Sequence, residues 1–397
     1  MSTIINLIAF TIFIILILPA LTVMMKMVLG STKKIIKSSN ELINDYGIII
    51  TAYKNFAITI PSIESFIKQK YPKSKYHVYV AADDCYDVEE INSNNVSVLE
   101  PTLSLSSKVK SISYAMNSFI RKHDYIIVMD ADNVVVSDYL STMNKYTQKY
   151  LAVQGKRTHK NLDTIYSCLD AGGEIYYNYI QRNVPFTLGS SAAISGSGMA
   201  VSYEVFDKFI KTIQNEDKVI VAEDKLLQNY LVGQNIQIAF SEDALIYDEK
   251  ISKGYQAQRQ RTRWLNSYFQ NLKEAAGIIL QGVKRINFNQ IFFGVMTSYP
   301  PIITMIAVSF FVSLLAIFFN ISGMIIIGLG WLIFTANFIL VLLLKKARKE
   351  IWKSLLYIPL FASRQIMALL NMKKANKDFM ATEHTKVIPL NEVLKGN

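Results

Sequence analysis

The chain has 397 residues, 51% of them hydrophobic and only 18% charged, with a mean hydropathy of +0.22. Soluble domains carry about 25% charged residues, so this composition excludes an ordinary soluble protein and, equally, a disordered one. The net charge of +11 fits nucleic acid, an anionic bilayer or a phosphorylated substrate, and the apolar content favours the last two.

Residues 4–25 form an uncharged apolar run, long enough for the roughly 20 residues a span requires. Met1-Ser2-Thr3 carries no basic residue, and the run is long, so it reads as a retained helix rather than a signal peptide. Lys26, Lys33, Lys34 and Lys37 follow, which predicts that this end is cytoplasmic. A region of about 240 residues, 45–284, comes next. Residues 46–50 read as a buried strand, and residues 62–70 as a helix with Ile63, Phe66 and Ile67 on one face. Residues 76–80 and 96–99 read as further strands. Residues 107–122 read as a helix with Val109, Ile112, Met116, Phe119 and Ile120 inward, and residues 125–129 as a fourth strand. This alternation predicts an α/β fold with a mostly parallel sheet, in which ligands bind beyond the carboxyl ends of the strands. Cys85 and Cys168 stand in unrelated contexts and predict buried free thiols in a reducing compartment.

Two further apolar runs lie near the C-terminus. Residues 291–319 are interrupted by Pro300-Pro301, as a kinked span or as two half-helices. Residues 321–344 form the other, with Asn320 and Ser322-Gly323 marking a tight connection. The basic cluster Lys345, Lys346, Arg348, Lys349 and Lys353 predicts a second cytoplasmic end. Residues 355–370 contain Pro359 and Arg364, and read as an interfacial amphipathic helix in preference to a fourth span. The expected layout is a span in 1–30, a cytoplasmic domain in 45–284, two spans in 288–346, and an interfacial helix with tail in 353–397.

Chemistry-bearing residues gather where the strands end. The second strand runs into Asp83-Asp84, and the fourth into Asp130-Ala131-Asp132. Carboxylates at adjacent strand ends converge on one rim and suit a hard cation or a hydroxylated ligand; a solvated turn is the plainer reading. The small-residue loop Ser195-Gly196-Ser197-Gly198-Met199 allows close backbone approach to a ligand, or is simply a turn. Glu223-Asp224 opens a helix, either to complement its dipole or to present a general base. Arg259, Gln260, Arg261, Arg263 and Trp264 combine guanidinium forks with an indole; they suit phosphate and sugar, or a helix lying on the bilayer.

In this order, these motifs resemble the membrane-integrated inverting glycosyltransferases of family 2, which include hyaluronan, chitin oligosaccharide, poly-N-acetylglucosamine and cellulose synthases. Gln260-x-x-Arg263-Trp264 matches the family's Gln-x-x-Arg-Trp, and Asp130-x-Asp132 its metal motif. The first strand departs from the family pattern: Thr51-Ala52-Tyr53-Lys54-Asn55 stands where Pro-Ala-Tyr/Arg-Asn-Glu is usual, and the missing Glu puts nucleotide contacts there in question. No Phe-x-Val-Thr-x-Lys gating motif is found, and Phe379-x-x-Thr382-x-His384 only faintly echoes an interfacial Trp-x-x-Thr segment.

The resemblance implies a GT-A-type domain and inverting transfer from a UDP-α-sugar to an acceptor hydroxyl, giving a β-linkage. It implies Mn²⁺ or Mg²⁺ on Asp132 and Asp130, and Asp224 as catalytic base. Tyr53, Asp83, Asp130 and Arg263 would hold the donor. Gly196, Ser197, Gly198, Glu223, Gln260 and Trp264 would line the acceptor side. Expected partners are the nucleotide sugar, a carbohydrate or lipid-linked acceptor, membrane lipids and an oligomeric or export partner, but no nucleic acid. Transfer of one sugar to a lipid carrier is the alternative. A scaffold or nucleotide sensor is a third reading, opposed by the intact Asp132, Asp224, Arg263 and Trp264.

Overall fold

The computed structural model describes residues 2–30, 42–213, 222–319, 321–370 and 386–396. The expectations resting on Lys33, Lys34, Lys37, Asn320 and the segment from Phe379 to His384 fall outside these residues. The first helix, α1 (Ser2–Leu29), precedes the domain. An eight-stranded sheet follows: β1 (Tyr46–Tyr53), β2 (Tyr76–Asp83), β3 (Val96–Leu99), β4 (Tyr125–Asp130), β5 (Val134–Val135), β6 (Ala152–His159), β7 (Met199–Ser202) and β8 (Ile238–Asp248). The spatial order is β3-β2-β1-β4-β7-β6-β8-β5. The β3/β2, β2/β1, β1/β4 and β6/β8 pairs are parallel; β7 runs antiparallel to both β4 and β6, and β5 to β8. Ile48, Ile49, Ile50, Val78, Val80, Ile127 and Val128 are fully buried or nearly so, because helices cover both faces of a sheet of this kind.

The strands outlast their apolar runs. Pairing continues through Tyr53, Asp83 and Asp130, so polar residues reach the rim on ladder hydrogen bonds. Helix α2 (Ile60–Ile67) begins two residues before the expected 62, because Pro61 in its first turn has a backbone already set for helix. Helix α3 (Lys108–Asn117) ends before the expected 122. Val109, Ile112 and Met116 are buried, but Ile120 lies past the helix and is 61% exposed, which corrects its assignment to the inward face. Cys168 is buried and Cys85 only partly so; both are free thiols.

Helices α4 (Tyr139–Thr147), α5 (Ile165–Tyr177), α6 (Val184–Thr187), α7 (Tyr203–Ile213) and α8 (Glu223–Gly233) complete the domain; a π-turn at Asn178–Asn183 joins α5 to α6. Helix α9 (Gly254–Arg285) has 32 residues, hence a length of about 48 Å. Ile286, in the left-handed region, turns the chain into α10 (Phe288–Thr297). The two pack closely through Gly282 and Gly294: a Cβ at Gly294 would meet Ile279 Cγ1 at 2.5 Å. The run predicted over 291–319 resolves into α10 and α11 (Ile302–Phe319), separated at Pro300-Pro301, whose nitrogens donate no hydrogen bond. Helix α12 (Ile321–Leu344) follows, then α13 (Lys349–Ser354), α14 (Ile358–Leu370) and α15 (Leu390–Gly396).

Helices α1, α11 and α12 are long and apolar enough to cross a membrane. Ala9, Ile12 and Leu16 of α1 pack on Ile327 and Phe334 of α12, and Gly330 leaves only room enough for Leu16. Tyr176, Tyr179 and Ile180 join the same apolar cluster, and Asn337 Nδ2 donates to Tyr176 Oη at 3.0 Å, so the domain is seated directly on the helix bundle. Helix α14 has 13 residues, about 20 Å, short of the roughly 30 Å hydrocarbon layer. It lies along α9, where Leu265 packs with Ala368.

Candidate active site

The ladders set the rim. Tyr53 is the register partner of Asp83, and Thr51 of Asp130, so β1, β2 and β4 bring their ends together. Asp83 is 2% exposed and its carboxylate is fully engaged: Oδ1 accepts from Leu105 N and Oδ2 from Ser106 N, both at 2.8 Å. It thereby clamps the loop that enters α3, in which Ser106 takes a left-handed φ of 46°.

That loop delivers Lys108, a residue the motif reading does not single out. Its Nζ donates to Asp130 Oδ1 at 2.6 Å and to the Gly196 carbonyl at 2.8 Å, and lies 3.2 Å from Glu223 Oε1. A cation in the first turn of a helix meets the positive end of the dipole. Burial would also lower its pKa, but the Asp130 and Glu223 carboxylates outweigh this and hold the ammonium well above its ordinary value. In Glu223, burial and the adjacent Asp224 raise the carboxyl above the usual range, against the pull of Lys108. Arg263, from α9, sits in the field of Glu223, Asp130 and Asp224; burial and Arg259 lower its pKa, but a guanidinium stays protonated.

Asp132, also 2% exposed, accepts from Glu249 N at 2.7 Å and from Asn133 Nδ2 at 3.3 Å, while Lys160 Nζ donates to its backbone carbonyl at 2.7 Å. Asp130 and Asp132 present oxygen donors, which suit a hard divalent cation. Among the described residues no group of three or more His, Cys, Asp or Glu side chains gathers as a cage. One or two carboxylates are what Mg²⁺ commonly takes from a protein.

Residues 195–198 form the opposite wall. Gln154 braces them, accepting from Ser195 N at 3.0 Å and donating to the Ser197 carbonyl at 3.0 Å. Gly198 needs its lack of a side chain twice over: its φ is 66°, and a Cβ there would lie 2.3 Å from Ile246 Cδ1. Gly196, at φ 80°, faces Asp224; a Cβ would sit 3.7 Å from Asp224 Oδ2, so glycine leaves that face of the carboxylate clear. Lys225 Nζ stands 3.7 Å from the same oxygen. Ser197 Oγ and Gln260 Oε1 are buried and, among the described residues, without hydrogen-bond partners. Trp264 is 40% exposed, with the Arg261 guanidinium 4.4 Å from its ring centroid and bonded to Asp170.

Behind this wall is a buried charge network. Arg157 Nη1 donates to the Ser195 carbonyl at 2.7 Å, and Nη2 pairs with Asp248. Lys250 lies 3.0 Å from Asp248 and 3.7 Å from Glu174, which Arg182 holds at 2.8 Å. The structure thus joins Asp130, Gly196, Glu223, Asp224 and Arg263 around Lys108. It commits Asp83 and Asp132 to backbone segments on the flanks, and it turns Trp264 toward Arg261. The legible hint to Lys108 was its cost at a helix start, which demands a carboxylate partner. No local spacing announces Arg157.

The Glycosyltransferase like family 2 model matches residues 44–267. The fold is similar to that of the mannosyltransferase PcManGT from Pyrobaculum calidifontis, solved in complex with GDP-Man and Mn²⁺: TM-score 0.53, 13% identity, covering 93% of this chain and 99% of that one. A weaker likeness is to S. aureus TarS 1-349 in complex with UDP, at TM-score 0.39 and 13% identity, over 58% of this chain and 65% of that one. No curated protein matches the sequence. With more than half of its length matched, and that half containing every strand and the whole rim, the chain belongs to the glycosyltransferase-like family 2.

Proposed function

We propose that this glycosyltransferase is inverting and integral to a membrane. It would move a sugar from a nucleoside diphosphate, UDP by family resemblance, to an acceptor hydroxyl in polysaccharide or oligosaccharide synthesis. The observation that carries this is the Asp224 carboxylate, kept clear by Gly196, beside a cation-lined rim. Asp224 takes the proton of the acceptor hydroxyl as that oxygen attacks the anomeric carbon. One base with in-line displacement inverts that carbon, so an α-linked donor yields a β-linked product. Lys108 and Arg263 stabilise the charge of the departing diphosphate, where fixed cations are worth most. Asp132 and Asp130 would hold Mn²⁺ or Mg²⁺, which when bound supplies Lewis-acid neutralisation of that diphosphate.

Tyr53 lines the base pocket, with Asp83 shaping it through the clamped loop. Gln260 Oε1 and Ser197 Oγ, both unpartnered among the described residues, support acceptor hydroxyl contacts, with Trp264 as a stacking surface. The basic ends of α1 and α12 support a cytoplasmic domain, and the shortness of α14 supports its lying at the interface. A second reading is transfer of one sugar to a lipid carrier, supported by there being three candidate spans among the described residues, few for a polymer channel in one chain.

Membranes containing the protein are assayed for nucleoside diphosphate release over a panel of UDP- and GDP-sugars with Mn²⁺ or Mg²⁺. Release with one donor, lost on chelation and reduced about 10²–10⁴-fold in Asp224→Asn with donor binding retained, is expected. Wild-type turnover in that variant would overturn the base assignment. Product length separates the two readings.

A further inference from the structure

A second concentration of charge lies behind the wall of the transfer site, sharing Arg157 and Glu174 with the network there. The apolar run of α12 stops at Leu344, and Lys345, Lys346 and Arg348 follow at once. Facing them across a cavity of about 100 Å³ are Lys156 and Arg157 of β6. That volume is worth about three waters, enough for a phosphate group and too small for a nucleotide sugar.

The cavity has five cations in its wall against two carboxylates, Glu174 and Glu242. Both carboxylates are already engaged: Glu242 pairs with Lys345, and Glu174 with Arg182 and Lys250. A register shift at Gly155/Lys156 displaces Glu242 from the β6/β8 ladder. Among the described residues neither Lys156 nor Lys346 forms a salt bridge. Burial lowers the Lys156 ammonium below its ordinary pKa, and Lys345 adds to this against Glu242. Arg157 Nε is buried and has no hydrogen-bond partner among the described residues.

Lys345, which lines the cavity just past the end of α12, lies 5.0 Å from the Tyr179 ring, and Lys26 from the end of α1 lies 4.4 Å from the same ring. Two spans therefore reach their basic ends here, at the level where hydrocarbon gives way to headgroups.

We propose that this cavity binds the phosphate of a net-anionic membrane phospholipid, with Lys156 and Lys346, which form no salt bridge among the described residues, supplying the charge. The inference rests on α1 and α12 being spans and not on the identity of the donor or acceptor, so its test needs no turnover.

Purified full-length protein in detergent is titrated with labelled phosphatidylglycerol, phosphatidylcholine of the same chain length, and inorganic phosphate as competitor. One saturable phosphatidylglycerol site is expected, weakened about thirtyfold in Lys156→Gln/Lys346→Gln. It should be retained in Lys156→Arg/Lys346→Arg, and also in Lys349→Gln/Lys353→Gln, a matched pair of exposed charges outside the cavity. Equal losses in the two glutamine pairs, unchanged affinity in the first, or equal binding of phosphatidylcholine would overturn the proposal. Displacement by inorganic phosphate at comparable concentration would assign the cavity to a soluble anion instead and overturn the lipid.

Discussion

Asp83→Asn changes one atom at the rim, and its cost can be worked from the geometry. The carboxylate accepts two backbone N–H groups, from Leu105 and Ser106, each at 2.8 Å, in a site that is 2% exposed. An amide can accept from one; its NH₂ then faces the other donor. A charge-assisted bond is worth about 1.5–3 kcal/mol, and an orphaned buried donor costs about 1–3 kcal/mol. A net loss of about 3 kcal/mol follows. Ser106 also spends about 1 kcal/mol on its left-handed backbone, which the clamp offsets, so the loop before α3 relaxes first. For a unit of this size the melting midpoint falls by roughly 6–12 °C. Thermal denaturation of the purified protein reads that shift, and limited tryptic cleavage at Lys108 reads the loop. If Asp83→Asn melts with wild type and is cleaved no faster, the carboxylate does not hold the loop and the reasoning fails.

Lys108→Met leaves Asp130 and Glu223 facing each other; with the site part-exposed, about 2 kcal/mol of stability goes with it. It also fixes a pH dependence. Glu223 already binds its proton more tightly folded than unfolded, so stability declines as pH rises from about 4.5 through the raised folded value. Without Lys108 that value rises further, and melting curves across pH should show the decline extending to higher pH than in wild type. Gly198→Ala combines a left-handed φ with a methyl driven into Ile246, and should cost about 3 kcal/mol in chemical denaturation. Gly196→Ala meets only Asp224, at 3.7 Å; it should cost about 1 kcal/mol in stability yet slow turnover about tenfold, a split that steady-state assays alongside melting would expose.

The sheet is legible because its strands are runs of isoleucine and valine whose hydropathy needs no context; what hydropathy does not report is where pairing stops. Tyr53, Asp83 and Asp130 are strand residues by their ladders, and that is what fixes them at the rim. The carboxylates of the site are legible because Asp130, Asp132, Glu223 and Asp224 occur as local pairs. Lys108 has no such signature, since it meets Asp130 and Glu223 only in three dimensions. The Arg157–Asp248 pair joins residues 91 positions apart, beyond any spacing rule. Ile120 misleads for the opposite reason: it keeps helical periodicity after the helix has ended at Asn117.

Helix α9 carries Arg263 near one end and is locked to α10 at Gly282 near the other, 19 positions and about 28 Å of uninterrupted helix away. Over that lever arm a tilt of about two degrees at Gly282 moves the backbone at Arg263 by about 1 Å, and a misplacement of that size is enough to slow catalysis about a hundredfold. If Arg263 acts as proposed, whatever sets the inclination of the α9–α10 hairpin, such as the thickness and lateral pressure of a surrounding amphiphile, becomes an input to the rate. Turnover numbers taken in micelles and in bilayers would then be measurements on differently tensioned instruments.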